Sequence, residues 1–170
     1  DTLIRGLSVV KFAPGYGSNT YNYGIYIAEA GNRTHIACNH VGLDTIGSVA
    51  QRNGDSGIRI FRADDVLIGG DSVDDRNISS GNWHGVYYIG ASNLTIKNNF
   101  FGVDISGNTA IGNGSEGIYG GDATTGVNPA EGSSITGVES SLNVAILNNV
   151  VSGNLRNAIN LSAGTNPSSS

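Results

Sequence analysis

Residues 36–58, IACNHVGLDTIGSVAQRNGDSGI, and residues 96–118, IKNNFFGVDISGNTAIGNGSEGI, are one passage written twice, sixty positions apart. Ile36, Gly42, Asp44, Gly47, Ala50, Asn53, Gly54, Gly57 and Ile58 each meet their own residue type in the second copy. Those counterparts are Ile96, Gly102, Asp104, Gly107, Ala110, Asn113, Gly114, Gly117 and Ile118. Chance does not hold one register over so many positions. Shorter units lie inside this period, marked by Gly24-Ile25, Gly57-Ile58, Gly85-Val86 and Gly117-Ile118, with a degenerate Ala158-Ile159 later. Self-similarity on this scale is the mark of a solenoid, in which one small unit is stacked on the next.

Within each unit the apolar period is two. Ile25-Tyr26-Ile27, Ile58-Arg59-Ile60 and Val86-Tyr87-Tyr88 send alternate side chains to opposite faces, as strands do. A second short strand follows at Thr34 to Ala37, Val66 to Ile68, Leu94 to Lys97 and Val144 to Leu147. Such short strands cannot bury a face alone. Stacked at about 4.8 Å they pair with their equivalents above and below, and the rest of each coil supplies the long crossover that parallel pairing needs. The expected fold is therefore all-β, a right-handed single-stranded parallel β-helix of five to six coils. Asn53, Asn82, Asn113 and Asn154, just ahead of the Gly-Ile strand, are expected to form a hydrogen-bonded amide ladder. GLDTIG (42–47) and GVDISG (102–107) read as outward turns capped by Asp44 and Asp104.

Composition agrees. Glycine contributes 26 of 170 residues and asparagine 20, the two types that best accept tight or left-handed backbone. With 38% hydrophobic and only 14% charged residues, the chain suits neither a helical bundle nor a disordered segment. A net charge of -5 and no basic stripe argue against nucleic acid, and no apolar run is long enough for membrane insertion. The single cysteine, Cys38, rules out an internal disulfide framework.

The segments IRGLSVVKF (4–12), VLIGGDS (66–72), RNISSGN (76–82), 85–118 and NNVVSGN (148–154) carry a resemblance. They resemble the parallel β-helix repeat proteins of the pectate-lyase-like superfamily, and more closely the repeats of large bacterial secreted and surface proteins. The resemblance implies an extracellular or cell-surface bacterial location and one β-helix domain over 1–170; with no capping helix before Leu3 or after Leu161, a fragment of a longer repeat protein is expected. Residues 120–142 are expected as a protruding loop and 163–170 as a flexible tail. Flanking repeats or a partner chain are expected over the coil ends, where open strand edges need cover.

If the first residue of each Gly-Ile strand points inward, the next points outward. That row reads Tyr26, Arg59, Tyr87, Tyr119 and Asn160, with Phe61 and Ile89 at its margin. Aromatic faces suit sugar rings and a guanidinium suits carboxylates, so Tyr26, Arg59, Tyr87 and Tyr119 form the candidate carbohydrate site. The row contains no acid, and the second-strand row (Ala37, Gly69, Lys97, Leu147) contains none either. The expected function is a non-catalytic, structural or adhesive segment that contacts polysaccharide. The alternative is a polysaccharide-active enzyme (lyase, hydrolase or epimerase) or a phage tailspike fragment, with Arg59, Lys97, His84 and turn carboxylates as its candidates.

No cofactor and no metal is expected. Asp71, Asp74 and Asp75 lie close in sequence but lack a calcium-binding repeat, and His35, Cys38 and His40 lack zinc spacing. His84 is read as polar surface at a turn, and Cys38, aligned with Asn98 and Asn148, as a buried member of a ladder.

Overall fold

The described residues wind into five coils, and each coil contributes one strand to each of three parallel sheets. The computed structural model describes residues 1–12, 22–29, 31–121, 126–128, 133–135 and 140–162. The first sheet stacks Thr2–Arg5, Thr34–Ala37, Leu67–Gly69, Thr95–Lys97 and Ala145–Leu147. A second is made of the two-residue strands Ser8–Val9, His40–Val41, Ile78–Ser79, Phe100–Phe101 and Val150–Val151. The third stacks Ile25–Ala28, Ile58–Phe61, Val86–Ile89, Ile118–Gly121 and Ile159–Ser162. This is a parallel β-helix. Its described residues contain no α-helix, only a 3₁₀ turn at Val73–Asp75, and so none long and apolar enough to cross a membrane.

The interior is built from rows of like residues. Ile4, Ile36, Ile68, Ile96 and Ile146 stand directly over one another in the first sheet. Ile25, Ile58, Val86, Ile118 and Ile159 do the same in the third. Ile36, Ile58, Ile60, Ile68, Ile96 and Ile118 have no solvent exposure. Each such side chain contributes roughly 1.5–3 kcal/mol through burial, and β-branched residues fit the pleat of a strand. Ile58 and Ile118 are two steps apart in one interior row, as the sixty-residue repeat requires.

Two asparagine ladders run along the axis. In the expected one, Asn53 Nδ2 donates to Asn82 Oδ1 at 3.0 Å, and Asn113 Nδ2 donates to Asn154 Oδ1 at 2.8 Å. The backbone N–H of Asn82 donates to Asn113 Oδ1 and so joins the middle step. A second ladder links Asn39, Asn77, Asn99 and Asn149 through the same side-chain bonds, at 2.9, 2.9 and 3.1 Å. These amides satisfy backbone groups at corners where the sheet hydrogen bonds stop, which a buried corner requires. The Gly-Ile signature follows from the same crowding. A Cβ on Gly24, Gly57 or Gly117 would sit 2.7–2.9 Å from the Nδ2 atom of a ladder asparagine on the next coil.

The two expected outward turns are present as hairpin excursions, closed by the antiparallel bridges Leu43–Ala50 and Val103–Ala110. Asp44 Oδ1 accepts from the backbone N–H groups of Ser48 (2.8 Å) and Val49 (3.0 Å), and Asp104 Oδ1 from Thr109 N–H. The excursions fold over the second sheet, where Leu43, Ile78, Phe100 and Val103 make a smaller core. Of the loop expected at 120–142, the described part holds the end of a third-sheet strand and an antiparallel pair, Gly126–Asn128 with Ser133–Ile135. The tail at 163–170 lies outside the described residues.

Cys38 corrects one expectation. It does align with Asn98 and Asn148, but all three occupy an outer turn with left-handed backbone (φ 56°, 57° and 53°), and Cys38 is exposed. The buried ladder runs one residue further on, through Asn39, Asn99 and Asn149. In each Asn-Asn pair the first residue turns the chain and the second fills the ladder.

Candidate functional site

Strand register places Tyr26 beside Arg59, Arg59 beside Tyr87, Tyr87 beside Tyr119 and Tyr119 beside Asn160 on the outer face of the third sheet. The side chains interlock. The Arg59 guanidinium carbon lies 3.7 Å from the centroid of the Tyr87 ring, with Tyr23 at 5.7 Å and Phe61 at 5.8 Å. Tyr87 and Tyr119 meet edge to face at 4.8 Å. A cation over an aromatic face and T-shaped rings are both favourable, each by about 0.5–2 kcal/mol. Exposure along the row is uneven: Tyr26 is 38% exposed, whereas Arg59 is 5% exposed. Its Nε and Nη1 atoms are buried and have no hydrogen-bond partner among the described residues. Phe61 is not marginal surface; it is fully buried.

A second outer column flanks the first. The residues just before the Gly-Ile pairs are Tyr23, Ser56, His84, Glu116 and Asn157, one per coil. His84 is therefore not polar surface. It is 9% exposed, and its Nε2 lies 3.4 Å from Oε2 of Glu116, which is 4% exposed. The ring is parallel to Tyr119 (5.4 Å, 12°) and edge-on to Tyr87 (5.3 Å, 86°). The Ser115 hydroxyl donates to Glu116 Oε2 at 2.5 Å, and the Ser56 hydroxyl to Asp55 Oδ1 at 2.9 Å.

The electrostatics follow from burial and neighbours. Burial, aided by Arg59 and Arg156, holds the His84 imidazole below its ordinary proton affinity, although Asp55 and Glu116 pull the other way. Burial opposes ionisation of Glu116, yet the Ser115 hydroxyl, His84 and Asn160 outweigh it and keep the carboxyl below its usual value. The pair is thus a neutral imidazole facing a carboxylate, within electrostatic reach of Asp55 and two arginines.

The other sequence candidates are drawn into separate ion pairs. Lys97 pairs with Asp71, and Arg5 with Asp75 at 2.6 Å, which lowers the Asp75 carboxyl. His35 Nε2 lies 2.6 Å from the Gly69 carbonyl oxygen. Among the described residues no three His, Cys, Asp or Glu side chains converge as a metal site.

Glu116 is the residue that sequence reading missed. No local motif marks it; only column alignment, which sets it one coil from His84, could have found it. No family model, curated protein or solved structure matches this chain.

Proposed function

We propose that this chain is a non-catalytic β-helix segment of a bacterial secreted or cell-surface protein, akin to the pectate-lyase-like superfamily, that holds an extended polysaccharide. The observation that carries this reading is the unbroken outer row Tyr26, Arg59, Tyr87 and Tyr119, one residue per coil. Exposed Tyr26 and half-buried Tyr87 and Tyr119 leave aromatic surface along the row, with Arg59 buried among them, and aromatic surface suits the apolar faces of a sugar chain. Its role is structural or adhesive, with flanking repeats or a partner chain over the coil ends.

The test is a glycan array followed by titration of the best polysaccharide. Tyr87→Ala and Tyr119→Ala are each expected to weaken binding about tenfold, near the roughly 1.4 kcal/mol of one lost ring contact. An array without signal, or binding unchanged in both variants, overturns the reading.

One observation favours the alternative of a polysaccharide-active enzyme: Glu116, Asp55 and Arg59 each lie within electrostatic reach of His84, beside the row. An acid and a base are what glycan cleavage requires. New reducing ends or unsaturated products after incubation, lost in Glu116→Gln, would establish that reading in place of the first.

A further inference from the structure

Several described groups surround His84. Glu116, on the following coil, faces Nε2 at 3.4 Å. Tyr119 lies flat against the imidazole and Tyr87 meets it edge-on. Trp83, the only tryptophan in the chain, has its ring 6.2 Å away. The charges acting on the ring are Asp55 and Glu116, which favour a proton, and Arg59 and Arg156, which oppose one. Nδ1 is buried and has no hydrogen-bond partner among the described residues.

With its proton on Nε2, the nitrogen 3.4 Å from the Glu116 carboxylate, neutral His84 leaves Nδ1 as a bare lone pair. An unused neutral acceptor costs less than an unused charged donor. A second proton changes the account, because Nδ1 then becomes a cationic donor with nothing to donate to. Arg59, in the same wall, already leaves two buried donors unpaired. A further buried charged donor without a partner adds to the cost that this wall already carries. Turning toward water would relieve that cost. Because Tyr119 stacks on it and Tyr87 braces it, the ring cannot leave without loosening both.

We propose that His84 is a proton-operated latch on the tyrosine row. In its neutral form it braces Tyr87 and Tyr119; protonated, it leaves its slot and the row relaxes. The latch rests on this cluster alone, whereas its use, release of a glycan in acid, rests on the function proposed above. The lowered proton affinity of the ring, caused chiefly by burial, supports the same direction: set at neutral pH, tripped below the ordinary histidine value of 6.5.

Trp83 provides the readout, and no ligand is needed. Its fluorescence in the full chain is followed from about pH 8 to about pH 4. One reversible step is expected, with a midpoint below 6.5. Glu116→Gln, which removes a charge that favours the proton, moves the midpoint lower still. His84→Phe abolishes the step, and imidazole NMR of the unmodified chain gives the same midpoint if that variant fails to fold. Amide exchange, corrected for intrinsic rates, reads the motion: protection over 86–89 and 118–121 falls about tenfold across the step. A step that survives in His84→Phe, a midpoint above 6.5, or unchanged protection in those two strands overturns the latch. A chain that shows the step but binds no glycan refutes the proposed function instead; one that binds glycan without the step refutes only the latch.

Discussion

Asn82 Oδ1 accepts two hydrogen bonds from Asn53, from its backbone N–H at 3.2 Å and from its Nδ2 at 3.0 Å. Asn82 Nδ2 donates onward to the Val41 carbonyl at 2.9 Å. All of these atoms belong to residues without solvent exposure or to buried strand backbone. Asn82→Ala removes the acceptor and strands a buried N–H on the preceding coil, at a cost of about 2–3 kcal/mol. Urea unfolding measures that loss. Hydrogen exchange is expected to quicken at the Asn53 amide and not at the Asn113 amide, since Asn113 bonds to Asn154.

Gly57 is held by space. A Cβ there would lie 2.7 Å from Asn82 Nδ2 and 3.0 Å from the Gly85 carbonyl oxygen. Backbone cannot yield as a flexible side chain does, so Gly57→Ala is expected to destabilise the chain by about 1–3 kcal/mol. An equilibrium unfolding curve with a lower midpoint and an unchanged slope is the signature.

Cys38 carries the opposite expectation. Its backbone has φ 56°, a conformation that glycine and asparagine adopt more readily than cysteine, and its side chain is exposed. Cys38→Asn or Cys38→Gly is expected to raise stability by about 0.5–1 kcal/mol. The native thiol is expected to react with a small disulfide reagent without prior unfolding. A stability loss on either substitution contradicts this account.

Stability is expected to fall in acid. His84 binds its proton less readily when folded than the ordinary 6.5 of the unfolded chain. The unfolded state therefore takes up the proton first, and the contribution of neutral His84 is present above 6.5 and lost as pH falls through the folded value. Glu116, also lowered, adds a loss of the same sign at lower pH. Denaturation midpoints measured at about pH 7 and about pH 5 should differ, and should differ less in His84→Phe.

The fold was legible because a solenoid repeats its instructions. Gly57-Ile58 and Gly117-Ile118 report the same corner and the same interior row, so one reading checks the other. The ladder of Asn53, Asn82, Asn113 and Asn154 was visible for the same reason. Its twin was not, although Asn39 and Asn99 also match across sixty residues. The pairs Asn98-Asn99 and Asn148-Asn149 can be phased two ways, and only backbone handedness decides between them. The row through Tyr26, Arg59, Tyr87 and Tyr119 came from strand alternation. The pairing of His84 with Glu116 did not, since the column Tyr23, Ser56, His84, Glu116 and Asn157 shares position and no chemistry.

The bridges Asp64–Ser92 and Ser92–Leu142 hold three successive coils in line, although far more chain separates Ser92 from Leu142 than Asp64 from Ser92. Register is therefore set by the stacked strands and amide rows, not by the length of chain spent between them. A corner that already admits an insertion between Gly121 and Ser140 is a natural port: foreign segments can be grafted there while the frame on either side keeps its alignment.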